Sequence, residues 1–151
     1  MSDQLPAPRN PIWPYVLVAG LSLIGLGDAI YLTVQDLTGQ NLRCTIITGC
    51  AEVLGSKYAH IAGIPLATIG AAAYFAVFSL AVLIIFGYLL ARLLLQLLVA
   101  VMFVMTLWLI YLQAFVIHHF CQYCLLSAAV TTVIATIVVF TTVVRRRSAA
   151  A

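Results

Sequence analysis

Residues 93–144 read LLLQLLVAVMFVMTLWLIYLQAFVI, then HHFCQYC, then LLSAAVTTVIATIVVFTTVV: two long apolar runs joined by a short polar seam. Each run reaches the roughly 20 residues a helix needs to cross a hydrocarbon core of about 30 Å. Residues 93–117 and 125–144 therefore read as two membrane spans. At the seam, Cys121 and Cys124 fall in the first turn of the second helix. Two thiols at that spacing can close into a small, easily opened disulfide, and a helix N-terminus favours the attacking thiolate. Cys-x-x-Cys is equally half of a common zinc site, so this pair alone leaves both chemistries open.

Working outward, the same apolar character extends over the chain. Of its 151 residues 65% are hydrophobic and only 7% charged, with mean hydropathy +1.17. Soluble domains carry about 25% charged residues, so this composition excludes a soluble globular or nucleic-acid-binding protein and points to an all-α integral membrane domain. Residues 12–34 form a first span with Trp13 and Tyr15 as an interfacial aromatic belt. Pro65 opens another, to about residue 90, where its missing N–H costs least. Ala67, Gly70 and Ala71 in that span are small residues that let helices approach closely. The expectation is a four-transmembrane-helix bundle over residues 12–144 with a long outer loop between helices 1 and 2. Residues 1–11, rich in proline, form an N-terminal tail without a cleaved signal segment, and residues 145–151 a basic C-terminal tail.

Basic residues set the expected orientation. Arg9, Arg92, Arg145, Arg146 and Arg147 share one side, with a turn over residues 87–92, and Arg43 and Lys57 lie on the other. Both termini are thus expected in the cytoplasm and all four cysteines at the opposite, oxidising face. Cysteines confined to one face suit thiol chemistry better than filler.

The outer loop carries CTIITGC at positions 44–50. Thr48 or Gly49 is placed to cap a short helix starting at Cys50, with Glu52 near the position of a capping-box partner. From spacing alone, Cys44 and Cys50 read equally as a structural staple or an exchanging pair.

Cys44 and Cys50 with five residues between them, Ser56 six positions after the second, the Gly63-Ile64-Pro65-Leu66 helix start and Cys121-Gln122-Tyr123-Cys124 together resemble the vitamin K epoxide reductase family, in its bacterial form without a fused thioredoxin-like domain. The disulfide bond formation protein B type is less similar, since its Cys-x-x-Cys lies in the first outer loop. The resemblance implies a relay from a separate thioredoxin-like periplasmic or luminal partner to a ubiquinone- or menaquinone-type quinone. Cys44 would meet the partner, Cys50 would exchange with Cys121, and Cys124 would face the quinone. It also implies a bacterial inner membrane, with the cysteines on the periplasmic side. Ser56 matches the family's hydroxyl near the quinone. The resemblance also implies an alternative, a vitamin K epoxide/quinone reductase in a eukaryotic-type cycle; Ala128 stands where the family has a tyrosine, which weighs against vitamin K epoxide as substrate.

Other residues carry two readings each. Asp28 within an apolar helix flags function by default, as a proton or electrostatic group, but its place near the helix end also suits an interfacial carboxylate. Lys57 beside Ser56 could bias a thiolate or simply be solvated. Phe120, Met102 and Met105 are candidate quinone contacts; the methionines equally suit core packing. Gln96 and Gln113 suit hydrogen bonds between helices. His60, His118 and His119 with the cysteines define the alternative of a Cys/His metal-binding module, which leaves the loop pair unexplained; the favoured assignment has no metal. A purely structural membrane subunit is the third reading.

Overall fold

The computed structural model describes residues 11–39, 49–61 and 63–150. The expectations placed on residues 1–10, Arg9 among them, and on Arg43 and Cys44 lie outside the described residues. In chain order the elements are α1 (Trp13–Leu37), the short α2 (Cys50–Leu54), a ribbon of β1 (His60–Ile61) and β2 (Ile64–Pro65), α3 (Leu66–Ile85), α4 (Leu89–Tyr111), a π-helical segment (Leu112–Ile117) and α5 (Gln122–Ala150). Four of these are long and apolar enough to cross a membrane: Trp13–Leu37, Leu66–Ile85, Leu89–Ile117 and Gln122–Ser148. The protein is an all-α integral membrane bundle. Its ribbon, pairing His60 with Pro65 and Ile61 with Ile64, is confined to the loop between spans 1 and 2.

The four long helices form a ring. α1 packs most extensively on α3 and also on α5, while α4 closes the other side between α3 and α5. Lipid gives helices no hydrophobic reason to associate, so close packing and internal hydrogen bonds must hold them. Both are present. A Cβ on Gly25 would run into the Tyr74 ring, and one on Gly70 would lie 4.0 Å from the Ala29 Cβ, so small residues bring α1 and α3 together. Tyr74, buried, puts its hydroxyl 2.9 Å from the Ser127 carbonyl, 2.8 Å from the Ser127 hydroxyl and 2.8 Å from Thr131, tying α3 to α5 across the ring. Val18, Val77, Leu95 and Ile134 fill the centre. Large apolar side chains such as Phe75, Val104 and Phe140 point outward, as lipid-facing positions should.

Several boundaries move. The turn before α4 is tighter than residues 87–92, because Gly87 at φ 96° reverses the chain at once. The Tyr88 N–H then bonds the Leu83 carbonyl and the Gly87 N–H that of Ile84, closing α3 with a left-handed glycine cap. Arg92 consequently lies inside α4. Tyr15 is buried rather than part of an interfacial belt, with Arg92 over its ring; Trp13 is exposed. At the other end α5 runs on as helix through Arg145, Arg146 and Arg147.

Candidate active site

The two cysteine segments meet. α2 begins at Cys50, and the residue before it, Gly49, lies so close to the seam that a Cβ there would be 2.7 Å from the Phe120 carbonyl and 3.1 Å from the His119 Cβ. Only glycine permits this approach of two backbones. It sets Cys50 beside Cys121, and both are buried in one small cluster with Val53, flanked by Leu54, Ile117, Tyr123 and Cys124. Cys50 is disulfide-bonded, whereas Cys121 and Cys124 are free thiols.

The chain reaches Cys121 by an irregular route. α4 widens into the π-helical segment, which ends where His118 adopts φ 57°. A left-handed turn at a non-glycine residue is uncommon, and it aims the chain back to start α5. There the Cys121 carbonyl accepts the Leu125 N–H at 3.0 Å, opening the helix. The Cys121 N–H donates to Oε1 of buried Gln113 at 3.1 Å, which satisfies an otherwise unpaired donor. Gln113 therefore braces the dithiol. Its sequence signal, a polar side chain ending an apolar run, suggested only an interhelical bond. Gln96 does make one, donating to Thr142 at 2.8 Å.

Cys121 has its thiol lowered from the ordinary 9.0 to about 7. The S–H of Cys124, donating to it, is the main cause, and the backbone N–H groups of Cys124 and Tyr123 assist; burial and the charge of Asp28 oppose. Of the two thiols, Cys121 is the one set to ionise, with the Cys124 S–H as its donor.

Cys124 also lines a cavity of about 150 Å³ at this end of the bundle, enclosed by Leu32, Val53, Leu54, Leu109, Ile110 and Ile117, with Asp28, Ser56, Thr106, Gln113 and Ser127 as its polar groups. A space of that size is enough for a benzene-sized ring, so one six-membered ring of a quinone fits. Asp28 has one buried carboxyl oxygen, Oδ2, without a hydrogen-bond partner among the described residues. The Ser56 hydroxyl lies in the cavity wall but donates to the Val53 carbonyl at 2.7 Å, holding the loop after α2. Ala128 lines the cavity as well.

Three expected quinone contacts lie elsewhere. Met102 packs against the central core, and Met105 and Phe120 are exposed. None of them lines this cavity; from this helix it is lined by Thr106, Leu109, Ile110 and Gln113, which fall on one helical face, with Leu112 and Ile117. Lys57 is exposed, with its ammonium 5.4 Å from the centre of its neighbour Tyr58. His60 pairs with Asp36 at 3.1 Å. His118 and His119 are exposed, and among the described residues no three His, Cys, Asp or Glu side chains converge as metal ligands.

Two cysteine segments joined over an apolar cavity, inside a ring of four membrane helices, agree with the comparison of the chain with known families: it matches the vitamin K epoxide reductase family over residues 16–139, and it belongs to that family.

Proposed function

We propose that the chain, a membrane oxidoreductase by family, is a quinone-dependent thiol-disulfide oxidoreductase, carrying electrons from a separate thioredoxin-like protein to a quinone and so supporting disulfide formation outside the cytoplasm. One observation carries this: Cys50 and Cys121 are buried together, while Cys124, one turn on, lines the cavity.

In the relay, a dithiol of the partner reduces the disulfide that contains Cys50. The freed Cys50 thiolate attacks Cys121 of an oxidised Cys121–Cys124 pair and expels Cys124 as thiolate. Attack on Cys50 by the second loop thiol, which we assign to Cys44, then releases Cys121 and restores the loop disulfide. A stabilised Cys121 thiolate favours the reduced pair and so draws electrons inward, as in other dithiols with a low-pKa sulfur. Reclosing the Cys121–Cys124 bond gives up two electrons and the Cys124 proton. The quinone accepts two electrons and two protons; Asp28, at the cavity wall, supplies the second proton and is recharged from the aqueous side. The absence of a hydroxyl at Ala128 favours a quinone over its epoxide.

The test is quinol formation by purified protein with a thioredoxin-like reductant, beside alanine variants at positions 44, 50, 121 and 124. Cys124→Ala should abolish it; continued quinol formation would remove Cys124 from the relay. With dithiothreitol as reductant, Cys44→Ala and Cys50→Ala should retain activity because the inner pair is then reduced directly.

A further inference from the structure

The end of the bundle opposite the cysteines holds a second constellation, which thiol chemistry does not use. Tyr15, Gln96, Thr142, Arg145 and Arg146 line a polar recess of about 280 Å³ between α1, α4 and α5. Arg92, one turn before Gln96, has its guanidinium carbon 5.9 Å from the centre of the Tyr15 ring. Its Nη1 is buried and has no hydrogen-bond partner among the described residues. The described carboxylates, Asp28, Asp36 and Glu52, all lie towards the cysteine end: Asp28 in the cavity wall, Asp36 on His60, Glu52 in α2. Two guanidiniums therefore line the recess, and a third lies over Tyr15 in its wall, without a described counter-charge.

Beside the recess runs an apolar groove of about 850 Å³ between α4 and α5, past Val99, Phe103 and Val139. Recess and groove share Gln96, Thr142 and Arg146, so they form one continuous surface. Arg145 and Arg146 reach it because α5 stays helical beyond the apolar run. A buried guanidinium nitrogen without an acceptor is costly, and arginine suits phosphate through paired N–H donors. Basic pockets between membrane helices bind anionic headgroups. A free phosphate would satisfy the arginines and leave the groove bare, while a neutral lipid would fill the groove and leave the arginines unpaired.

We infer that this surface binds one anionic phospholipid, its phosphate among Arg92, Arg145 and Arg146 and an acyl chain in the groove between α4 and α5. Native mass spectrometry of the detergent-purified full chain, titrated with phosphatidylglycerol, phosphatidylcholine or inorganic phosphate, tests it. The expected result is saturable uptake of one phosphatidylglycerol, with phosphatidylcholine weaker and inorganic phosphate unable to compete. Arg146→Gln and Arg92→Gln should each weaken binding about fivefold, the effect of one basic group near an anionic headgroup. Arg147→Gln is the control, in the same basic run but outside the recess, and should leave binding unchanged. Ala100→Phe, at an exposed position in the groove wall, should weaken lipid uptake without altering charge. Unsaturable uptake, or equal losses for Arg147→Gln and Arg146→Gln, would reduce the cluster to a general basic flank and overturn the site. Competition by inorganic phosphate would overturn the role of the groove, and a dimer whose contact covers the groove would make a second copy its occupant instead.

Discussion

Cys121 owes its thiolate to a neighbour rather than to exposure, since it is fully buried and the Cys124 S–H is the main stabilising donor. Removing that donor should therefore move its titration. In the reduced protein, thiolate absorbance, taken as a difference against Cys121→Ala, should rise with a midpoint at pH about 7. In Cys124→Ala the midpoint should climb back towards the ordinary 9.0; an unchanged midpoint would mean that another group holds the charge. The sign for stability follows from a folded-state pKa below the unfolded one. The thiolate's contribution to the reduced state is full above the ordinary thiol range and is lost as pH falls through about 7. Asp28 is separable from this effect. General acids contribute about 10²–10⁴-fold, so Asp28→Asn should slow quinol formation at least about 100-fold while Cys50–Cys121 exchange, followed by trapping the mixed disulfide, stays near wild type. Equal quinol rates in the two proteins would assign the proton to another donor.

At the scale of elements, the site depends on two irregular connections. The π-helical segment and the left-handed His118 turn the chain into α5, and Gly49 lets α2 sit against the Phe120 backbone. A methyl group at Gly49 must push the two segments apart, and a misplacement of about 1 Å can cost about 100-fold in rate. Gly49→Ala should accordingly slow reduction of the Cys121–Cys124 pair by the partner up to about 100-fold. Quinol formation driven by dithiothreitol should be nearly unaffected, since it bypasses Cys50; loss of both rates would point to a collapsed cavity instead. The start of α2 at Cys50 and of α5 beside Cys121 was legible from capping residues and from the seam between apolar runs. The π-helical segment was not, because Leu112, Gln113, Ala114, Phe115, Val116 and Ile117 have the same apolar pattern as the helix before them. Within it the Gln113 side chain reaches the Cys121 N–H, a contact eight residues along the chain that no local pattern announces.

For the whole molecule, Tyr74 links opposite helices of the ring, and hydrogen bonds between membrane helices contribute roughly 0.6–2 kcal/mol. Tyr74→Phe should lower stability by about that amount, measured by unfolding in mixed micelles, with its core packing kept. Orientation is tested separately. In sealed right-side-out vesicles a membrane-impermeant maleimide should label Lys57→Cys from outside and Arg147→Cys only after lysis; the reverse pattern would invert the topology. The number of spans and the membrane as their solvent were determined by the sequence alone, because hydropathy and residue spacing are local properties. Which groups surround the ring-sized cavity was decided only in three dimensions. Asp28 of α1, Ser56 of the loop, Gln113 of the π-helical segment and Cys124 of α5 share it through packing, whereas Met102, Met105 and Phe120 lie outside its lining, a division set by how separate segments pack and not by the periodicity of any one run.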